Sequence, residues 1–440
     1  SSCSRVRSIR PASEMSSLMR KLVPGLLLLL GLALAAPRPA LATRIFVPRQ
    51  YKTIQKAIDA ASPRDTIWVG PGVYPGPLVL KKSLVLFADQ GPEKTTLDGG
   101  DSVRVLHIEG IRNASVVGFT IRRGRANSGG GIACVRDSAV MIANCLIEKN
   151  WESGIATWSS VDIDMHEIEF VENSGSGVSV NNSAVAMRDC LFLRNKSYAG
   201  GGLALYASTT VFPVRSCRFE DNTADTGAGG AVYADSSQLL FADTMFLRNS
   251  SVLAGGAVAV MRDSRSAISR CVFQENRSKA NGALHSDGSM LNVALCIFDR
   301  NQSQAAGSAI GYVRRPPSGL QSTLLNCTFY KNTSGESATL WAEYASPEIR
   351  KNIFALAPGQ RVTVGFNSAP LYTCNLIHDP TGAALGAIPS VDTLVGDPLF
   401  CDPDHQNFKL RDLSPAALAA CGPIGAQPKG CASFKLLPSK

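Results

Sequence analysis

The stretch "CLFLRNKSYAGGGLALY", Cys190 to Tyr206, contains the pattern that decides the fold. Side chains in a β-strand alternate between its two faces, so a cysteine and a phenylalanine two positions apart lie on the same face. An asparagine, a glycine run and a second apolar segment follow. The pattern predicts two short strands joined by a polar turn.

The pattern recurs along the chain with a period of 22 to 31 residues. Its copies are "CLIEKN" at 145, "IEFVEN" at 168, "CLFLRN" at 190, "CRFEDN" at 217, "TMFLRN" at 244, "CVFQEN" at 271, "CIFDRN" at 296 and "CTFYKN" at 327. An alternating segment, such as that around Val140 and Ile142, precedes each copy. Three short strands in about 25 residues predict one coil of a parallel β-helix, a solenoid repeat.

Stacked coils would align equivalent residues in columns roughly 4.8 Å apart. The cysteines and phenylalanines should form interior columns, in which the aromatic rings stack. The asparagines should lie in the turn after the third strand, where their amides can bond to one another and to the backbone. These asparagines are Asn150, Asn173, Asn195, Asn222, Asn249, Asn276, Asn301 and Asn332.

With these repeats, residues 43 to about 431 resemble the right-handed parallel β-helix proteins of the pectate lyase-like superfamily, in particular its exported bacterial repeat members. The segment "YKTIQKAIDAASPRDTIWVGPGVYPGPLVL" is similar to their N-terminal cap, and Thr53 is expected to cap a short helix. The predicted fold class is all-β: a right-handed parallel β-helix with three strands per coil, about ten or more coils and a short N-terminal capping helix. Right-handed parallel crossovers are also the strongly preferred form.

The chain divides into five predicted segments. Residues 1–18 are read as an upstream extension, and 19–42 as a signal peptide with a charged start, an apolar run and a small-residue cleavage signal. Residues 43–100 would hold the N-terminal cap and first coils, 101–360 the repeats, and 361–440 the last coils and a cysteine-containing cap. A secreted, periplasmic or cell-surface protein without a later membrane span is expected.

The charge balance argues against nucleic acid as a partner. The whole chain carries +9, but six basic residues and one acidic residue precede residue 43, which leaves +4 for the remainder. These charges are interspersed rather than clustered, unlike a nucleic-acid footprint. We expect a monomer that binds a polysaccharide or a cell-surface glycan.

The twelve cysteines fall into different classes. Those of the repeat column are predicted to be reduced and buried, because free cysteine packs as a small hydrophobe. Cys374, Cys401, Cys421 and Cys431 lie in the C-terminal segment and could form two disulfides in any of three connectivities. No motif predicts a metal or another cofactor; calcium could bind exposed carboxylates, but no calcium motif is present.

The outward residues of the first strands form two predicted columns. The first outward column contains Tyr233, His285 and Trp341, and the second contains Trp158, Tyr206, Asp235, Asp287 and Glu343. The three carboxylates recur in alternate coils, roughly 9.6 Å apart by strand spacing. Aromatic rings beside carboxylates are suited to gripping sugar rings, which favours polysaccharide binding on this face.

Two alternatives to a binding protein remain open. The carboxylate spacing approaches the separation of an inverting glycosidase pair. A polysaccharide lyase or glycoside hydrolase could therefore use Asp235, Asp287 and Glu343, assisted by His285. The catalytic motifs of polygalacturonases, pectin esterases and pectate lyases are missing from the sequence. The other alternative is a surface structural or adhesive protein whose stacked sheets are themselves the function.

Overall fold

A computed structural model describes residues 42–315, 319–381 and 392–431. The predicted extension 1–18 lies outside the described residues, as does the predicted signal peptide except for Ala42. Parts of the predicted C-terminal cap, 382–391 and 432–440, lie outside them as well. Within the described ranges, no helix has the length and apolar character to cross a membrane.

The fold is a β-solenoid of parallel sheets, which confirms the predicted parallel β-helix. One sheet, the first-strand sheet, collects the first strand of each coil. In the described residues its strands are Leu78–Leu80, Leu106–Glu109, Ile132–Val135, Ser153–Trp158, Ser176–Asn181, Leu203–Tyr206, Val232–Asp235, Val258–Met261, Leu284–Asp287, Ile310–Val313, Ala338–Glu343 and Arg361–Phe366.

The second and third strands of the coils join in one larger parallel sheet. The second strands are Arg44–Val47, Thr66–Val69, Val85–Ala88, Arg112–Val117, Val185–Arg188, Val211–Arg215, Gln238–Ala242, Arg265–Ser269, Met290–Ala294, Thr323–Leu325, Glu348–Arg350 and Leu371–Thr373. The third strands are Gly72–Pro75, Thr95–Asp98, Thr120–Arg122, Leu191–Leu193, Arg218–Glu220, Met245–Leu247, Val272–Gln274, Ile297–Asp299, Thr328–Tyr330, Ile353–Ala355, Leu376–His378 and Leu394–Val395. Ser138–Glu148 and Val161–Val171 each run through both positions.

Smaller elements complete the coils and the ends. A further parallel sheet follows the asparagine turns, with strands Lys196–Ser197, Thr223–Ala224, Ser250–Ala254, Arg277–Ala280, Gln302–Ser303 and Thr333–Ser334. Helix α1, Ile54–Ala60, packs Ile54, Ala57 and Ile58 into the core, and the Thr53 hydroxyl accepts from the Lys56 N–H at 3.3 Å. Near the C-terminus, Phe400–Asp402 pairs antiparallel with Asn407–Leu410 across the 3₁₀ turn Pro403–His405.

The repeat motif fills the interior in columns. Phenylalanines from successive coils stack with ring centroids 4.4–5.1 Å apart and nearly parallel planes. The stacked rings are Phe170, Phe192, Phe219, Phe246, Phe273, Phe298, Phe329 and Phe354. The repeat cysteines are buried and unpaired beside them, and burial raises the pKa of the Cys145 thiol to about 11.

The eight repeat asparagines form a continuous buried ladder. Each Nδ2, from Asn150 to Asn301, donates to the Oδ1 of the next asparagine at 2.9–3.1 Å. The same amide also donates to a backbone carbonyl, as Asn195 does to Phe170 at 2.8 Å. The asparagines are at most 2% exposed. Amide–amide bonding therefore satisfies a turn that has no access to water.

The C-terminal segment is closed by two disulfides, Cys374–Cys421 and Cys401–Cys431. Cys374–Cys421 connects the last coils to the C-terminal segment, and Cys401–Cys431 closes that segment on itself. Phe400, Phe408 and Leu410 of the segment are buried in a cluster with outward residues of the third strands, among them Tyr330 and Ile353. Structural disulfides form in oxidising compartments, so this region carries a chemical feature of proteins outside the cytoplasm.

Candidate functional site on the first-strand sheet

The strand register places the predicted binding and catalytic residues on one face. The first outward column runs Tyr233, Ala259, His285, Gly311 and Trp341. The second runs Trp158, Asn181, Tyr206, Asp235, Met261, Asp287, Val313 and Glu343. The intervening residues, such as Leu203 and Leu284, point inward and are fully buried. The structure therefore brings these aromatic and acidic residues together as neighbours along the sheet.

Two of the carboxylates on this face are paired with arginines. Asp235 accepts from Arg262 Nε at 2.7 Å, and the Arg262 Nη2 also contacts it. Arg314 contacts both carboxylate oxygens of Asp287 through Nε and Nη2. The Arg262 side chain is 67% exposed and the Asp235 side chain 10%. The group presented to solvent is thus the guanidinium, with the carboxylate as its anchor.

The arginines reach the carboxylates because each follows the second outward column by one residue in the next coil. Arg262 and Arg314 have φ values of 48° and 56°, in the left-handed region. Arg136 repeats the arrangement: it has a φ of 55° and contacts Glu109 of the preceding coil. Sequence reasoning missed these residues, although each arginine follows its acid by 27 positions.

Glu343 differs from the other two carboxylates of the column. Its Oε2 accepts from Trp341 Nε1 at 3.3 Å, which ties the first outward column to the second within one strand. No arginine contacts Glu343 within ion-pair distance among the described residues. The indole ring is held by this bond and is partly exposed.

The tyrosines pack together above the Asp235–Arg262 pair. The ring centroids of Tyr206 and Tyr233 are 5.8 Å apart, and Arg262 Nη2 donates to the Tyr233 hydroxyl at 3.4 Å. Burial, followed by the neighbouring Tyr233, raises the pKa of Tyr206. Both rings are fixed by contacts on the protein side. Trp158, also partly buried, lies towards the N-terminal end of the same column.

His285 is held by a residue that interrupts a glycine column. Asn281 has a φ of 59° at a position where neighbouring coils have glycine, and its Nδ2 lies 2.8 Å from His285 Nδ1. Its side chain lies across Gly311, where a Cβ atom would have no room. Burial lowers the pKa of His285 to about 4, so the imidazole is neutral near pH 7. With Nδ1 accepting from the amide, the ring proton is placed on Nε2.

A serine ladder, which sequence reasoning missed, lies directly behind the second outward column. The backbone N–H groups of Asp137, Ser160, Ser183, Ser208, Ser237 and Ser264 each donate to the serine hydroxyl of the next coil at 3.0–3.5 Å. Ser237 in turn donates to the Asp235 carbonyl at 2.8 Å, and Ser289 to the Asp287 carbonyl at 3.1 Å. The ladder therefore fixes the backbone that carries the column. A serine two residues after five of the column positions, Trp158, Asn181, Tyr206, Asp235 and Asp287, was the available signal.

Elsewhere, Asp164 and His166 lie 3.1 Å apart on an outward strand face, and Arg188 also approaches Asp164, at 3.6 Å. Across the part of the chain that the structure describes, no three histidine, cysteine or carboxylate side chains converge as metal ligands would.

The first-strand sheet presents aromatic rings, guanidinium groups anchored by carboxylates, and the neutral imidazole of His285.

Comparison with known families concerns the fold. The family model described as right handed beta helix region matches residues 101–219. The model of the Chlamydia polymorphic membrane protein repeat matches residues 216–235. No curated protein matches the chain.

Several solved structures are similar to the chain. The A-module of a mannuronan C-5 epimerase from Azotobacter vinelandii is 13% identical, with 78% of this chain and 94% of that chain covered and a TM-score of 0.45. An α-1,3-glucanase catalytic unit from Streptomyces thermodiastaticus is 16% identical, with coverage of 82% and 69% and a TM-score of 0.40. A polysaccharide lyase from Pseudopedobacter saltans is 13% identical, with coverage of 89% and 100% and a TM-score of 0.42. None of these likenesses assigns an activity to this chain.

Proposed function

We propose that this right-handed β-helix protein binds a polysaccharide lengthwise along the first-strand sheet, outside the cytoplasm. The observation that carries the proposal is the register of the two outward columns, which places aromatic rings and arginine–carboxylate pairs in rows on one face. A polysaccharide is itself a periodic ligand. A periodic row of binding groups on a straight sheet suits it better than a single pocket would.

The side chains of the face have the chemistry that sugar rings require. Tyr206, Tyr233 and Trp341 combine apolar ring area with a polar atom, as side chains at wet binding surfaces do. Arg262 and Arg314 present planar donor forks whose orientation is already fixed by Asp235 and Asp287. Because these groups are held before binding, less conformational entropy is lost when a glycan docks.

A glycan array with the double variant Trp341→Ala and Tyr233→Ala tests the proposal. We expect binding to the retained glycans to fall by roughly a hundredfold, since each ring contributes an interaction of hot-spot type. Trp151→Ala is the matched control, because Trp151 is 45% exposed and follows Asn150 in the asparagine turn, at the other end of the first strand from the outward columns. If the double variant binds every retained glycan as the unaltered protein does, the proposal is wrong, and a structural or adhesive role gains support.

The proposed export of the protein from the cytoplasm can be tested separately. The predicted signal peptide and the two C-terminal disulfides support export. N-terminal sequencing of the protein recovered from outside the cytoplasm should begin at Thr43. Recovery of the full-length chain from the cytoplasm, with all cysteines reduced, would contradict export.

A second candidate function is that of a polysaccharide lyase or glycoside hydrolase, and His285 is the observation that favours it. A neutral imidazole can act as a general base once its Nδ1 lone pair is released from the Asn281 amide, because Nε2 already carries the ring proton. Asp287 accepts from Arg314 through both oxygens and is suited to fixing charge rather than to donating a proton. Reducing-end and unsaturated-product assays on every bound glycan should then show turnover that His285→Ala abolishes. Full turnover in that variant would exclude His285 as the base.

A further inference from the structure

A cavity of about 220 Å³ opens beside the Asp287–Arg314 pair. It lies where the link from a first strand to the following second strand is longest: nine residues, 314–322, separate Val313 from Thr323, against two to four in the other coils of this sheet. Residues that line the cavity include Ser286, Ser289, Tyr312, Arg314, Arg315 and Ser346.

The cavity exists because the serine ladder changes register at this coil. Ser264 N–H still donates to the Ser289 hydroxyl at 3.2 Å, as in the preceding coils. In the next coil the Ser322 hydroxyl accepts instead from Leu291 N–H, at 3.1 Å. Ser322, the last residue of the link, is thus tied to the second strand rather than to the preceding turn.

Tyr312, one of the lining residues, has a buried hydroxyl without a partner among the described residues. Tyr312 continues the inward column between Ser286 and Ala342 and is 2% exposed. Its hydroxyl forms no hydrogen bond to any described residue. A buried polar group without a partner destabilises a fold. A ligand group in the cavity would remove that penalty.

The mouth carries an unbalanced positive charge. Arg314 is neutralised by Asp287, whereas Arg315 donates to the Ser346 hydroxyl at 3.1 Å and, within the described ranges, has no carboxylate at ion-pair distance. An exposed guanidinium with free donors favours a carboxylate over a neutral group. The volume is below the roughly 300–1,000 Å³ of pockets that enclose a whole drug-sized ligand, so a small group fits it better.

We propose that this cavity receives a short carboxylate-bearing substituent of a glycan, with Arg315 binding the carboxylate at the mouth and the Tyr312 hydroxyl supplying a hydrogen bond. The proposal rests on polysaccharide binding for its glycan part, because Arg314 belongs both to the cavity and to the row of anchored arginines. The protein therefore binds glycans that carry such a substituent more tightly than glycans that lack it.

Calorimetric titration with pyruvate tests the cavity without any glycan. The unaltered protein should bind pyruvate and should not bind its neutral methyl ester. Arg315→Gln should weaken pyruvate binding by roughly tenfold, through loss of a charge-assisted bond. Arg277→Gln removes the same charge from a distant strand and should leave binding unchanged. No binding of pyruvate by the unaltered protein, or equal binding of acid and ester, would overturn the proposal.

Tyr312→Phe separates a ligand-binding hydroxyl from a structural one. Removal of an unpartnered buried hydroxyl should preserve or raise the melting temperature, while pyruvate binding falls by roughly fivefold. Tyr330→Phe is the comparison, since the Tyr330 hydroxyl has a partner in Asp404 at 3.1 Å, and that variant should lose stability without a change in binding. Unchanged pyruvate affinity in a folded Tyr312→Phe protein would remove Tyr312 from the site.

Arrays that pair each glycan with its pyruvylated form test the whole proposal. The pyruvylated form should bind more tightly, and Arg315→Gln should erase that difference, whereas Trp341→Ala should weaken both forms. Equal binding of the two forms by the unaltered protein would overturn the inference. Pyruvate binding without any glycan binding would instead refute polysaccharide binding and reduce the cavity to a site for a free organic acid.

Discussion

The two polar ladders of this molecule differ in what they allow at their turns. The asparagine ladder runs through eight coils with one pattern of bonds, and each side chain bonds both to the next asparagine and to the backbone. The serine ladder bonds hydroxyls only to backbone groups, and its bonding pattern changes at Ser322. The hydrogen-bond pattern is therefore uniform at one edge of the solenoid and variable at the other.

The difference follows from the chemistry of the two side chains. An asparagine amide has two donors and an acceptor with two lone pairs, so it can join two coils and still satisfy the backbone. A serine hydroxyl has a single donor, which here goes to a carbonyl of its own coil. A serine rung can consequently change its backbone partner, as at Ser322, without leaving a side-chain partner unpaired. The outward columns, the anchored arginines and the cavity all lie at this permissive edge.

The largest expected effect is that of breaking the asparagine ladder at its centre. Asn222 makes four side-chain hydrogen bonds, to Asn195 N–H and Nδ2, the Phe192 carbonyl and Asn249. Asn222→Ala leaves these buried partners unsatisfied, and we expect a loss of about 4 kcal/mol in the free energy of unfolding. Denaturant unfolding measures it. Asn181→Ala, on the solvent side of a first strand, is the control and should cost little; an equal loss in both variants would contradict the ladder's importance.

The next largest expected effect concerns His285 on the first-strand sheet, and it depends on pH. His285 has a folded pKa of about 4 against 6.5 for the free side chain, so the unfolded state binds the proton first as the pH falls. Stability is then fully present above pH 6.5 and declines by about 3 kcal/mol towards pH 4.

Thermal unfolding of His285→Gln across this range should show a shallower decline. His405→Gln, which changes a histidine exposed at the C-terminal end, should retain the full decline. Identical pH profiles for His285→Gln and the unaltered protein would show that His285 is not desolvated in solution.

Removing one side chain of the serine ladder should cost less free energy of unfolding than removing one side chain of the asparagine ladder. Ser237 makes two side-chain hydrogen bonds, to Ser208 N–H and the Asp235 carbonyl. Ser237→Ala should therefore lower the free energy of unfolding by about 1.5 kcal/mol. The same denaturation series as for Asn222→Ala provides the measurement. A cost equal to or above that of the asparagine variant would mean that the two edges do not differ as their chemistry suggests.

The uniform edge is also the part that the sequence predicts best. The asparagines and phenylalanines recur at one position of every period, so stacking alone places them in columns. The register of the first-strand sheet was predictable for the same reason, down to Asp235, Asp287 and Glu343 in alternate coils. Periodicity can be read from the sequence without any knowledge of side-chain contacts.

The contacts at the permissive edge were not predictable from periodicity, because they depend on departures from it. Arg262 and Arg314 occur in only some coils, and each bonds backwards to the preceding coil, which no pattern within one repeat indicates. The bond of Asn281 to His285 likewise depends on a side chain at a position where neighbouring coils have glycine. In a repeat protein, residues that depart from the repeat pattern therefore indicate where such contacts form.

The smallest expected effect on stability is that of replacing either of two exposed arginines. It distinguishes most clearly a role in ligand binding from a role in the solenoid itself. Arg194 makes a two-bond contact with Glu172 next to the asparagine ladder, and Arg262 makes its contact with Asp235 on the first-strand sheet. Both arginines are more than half exposed, so each substitution to glutamine should cost only about 0.5 kcal/mol of unfolding free energy. Glycan binding should fall for Arg262→Gln alone, because only that guanidinium lies in the row of aromatic rings. Equal glycan affinity in the two variants would show that anchored arginines serve the solenoid at both edges and that the ligand is held by the rings without them.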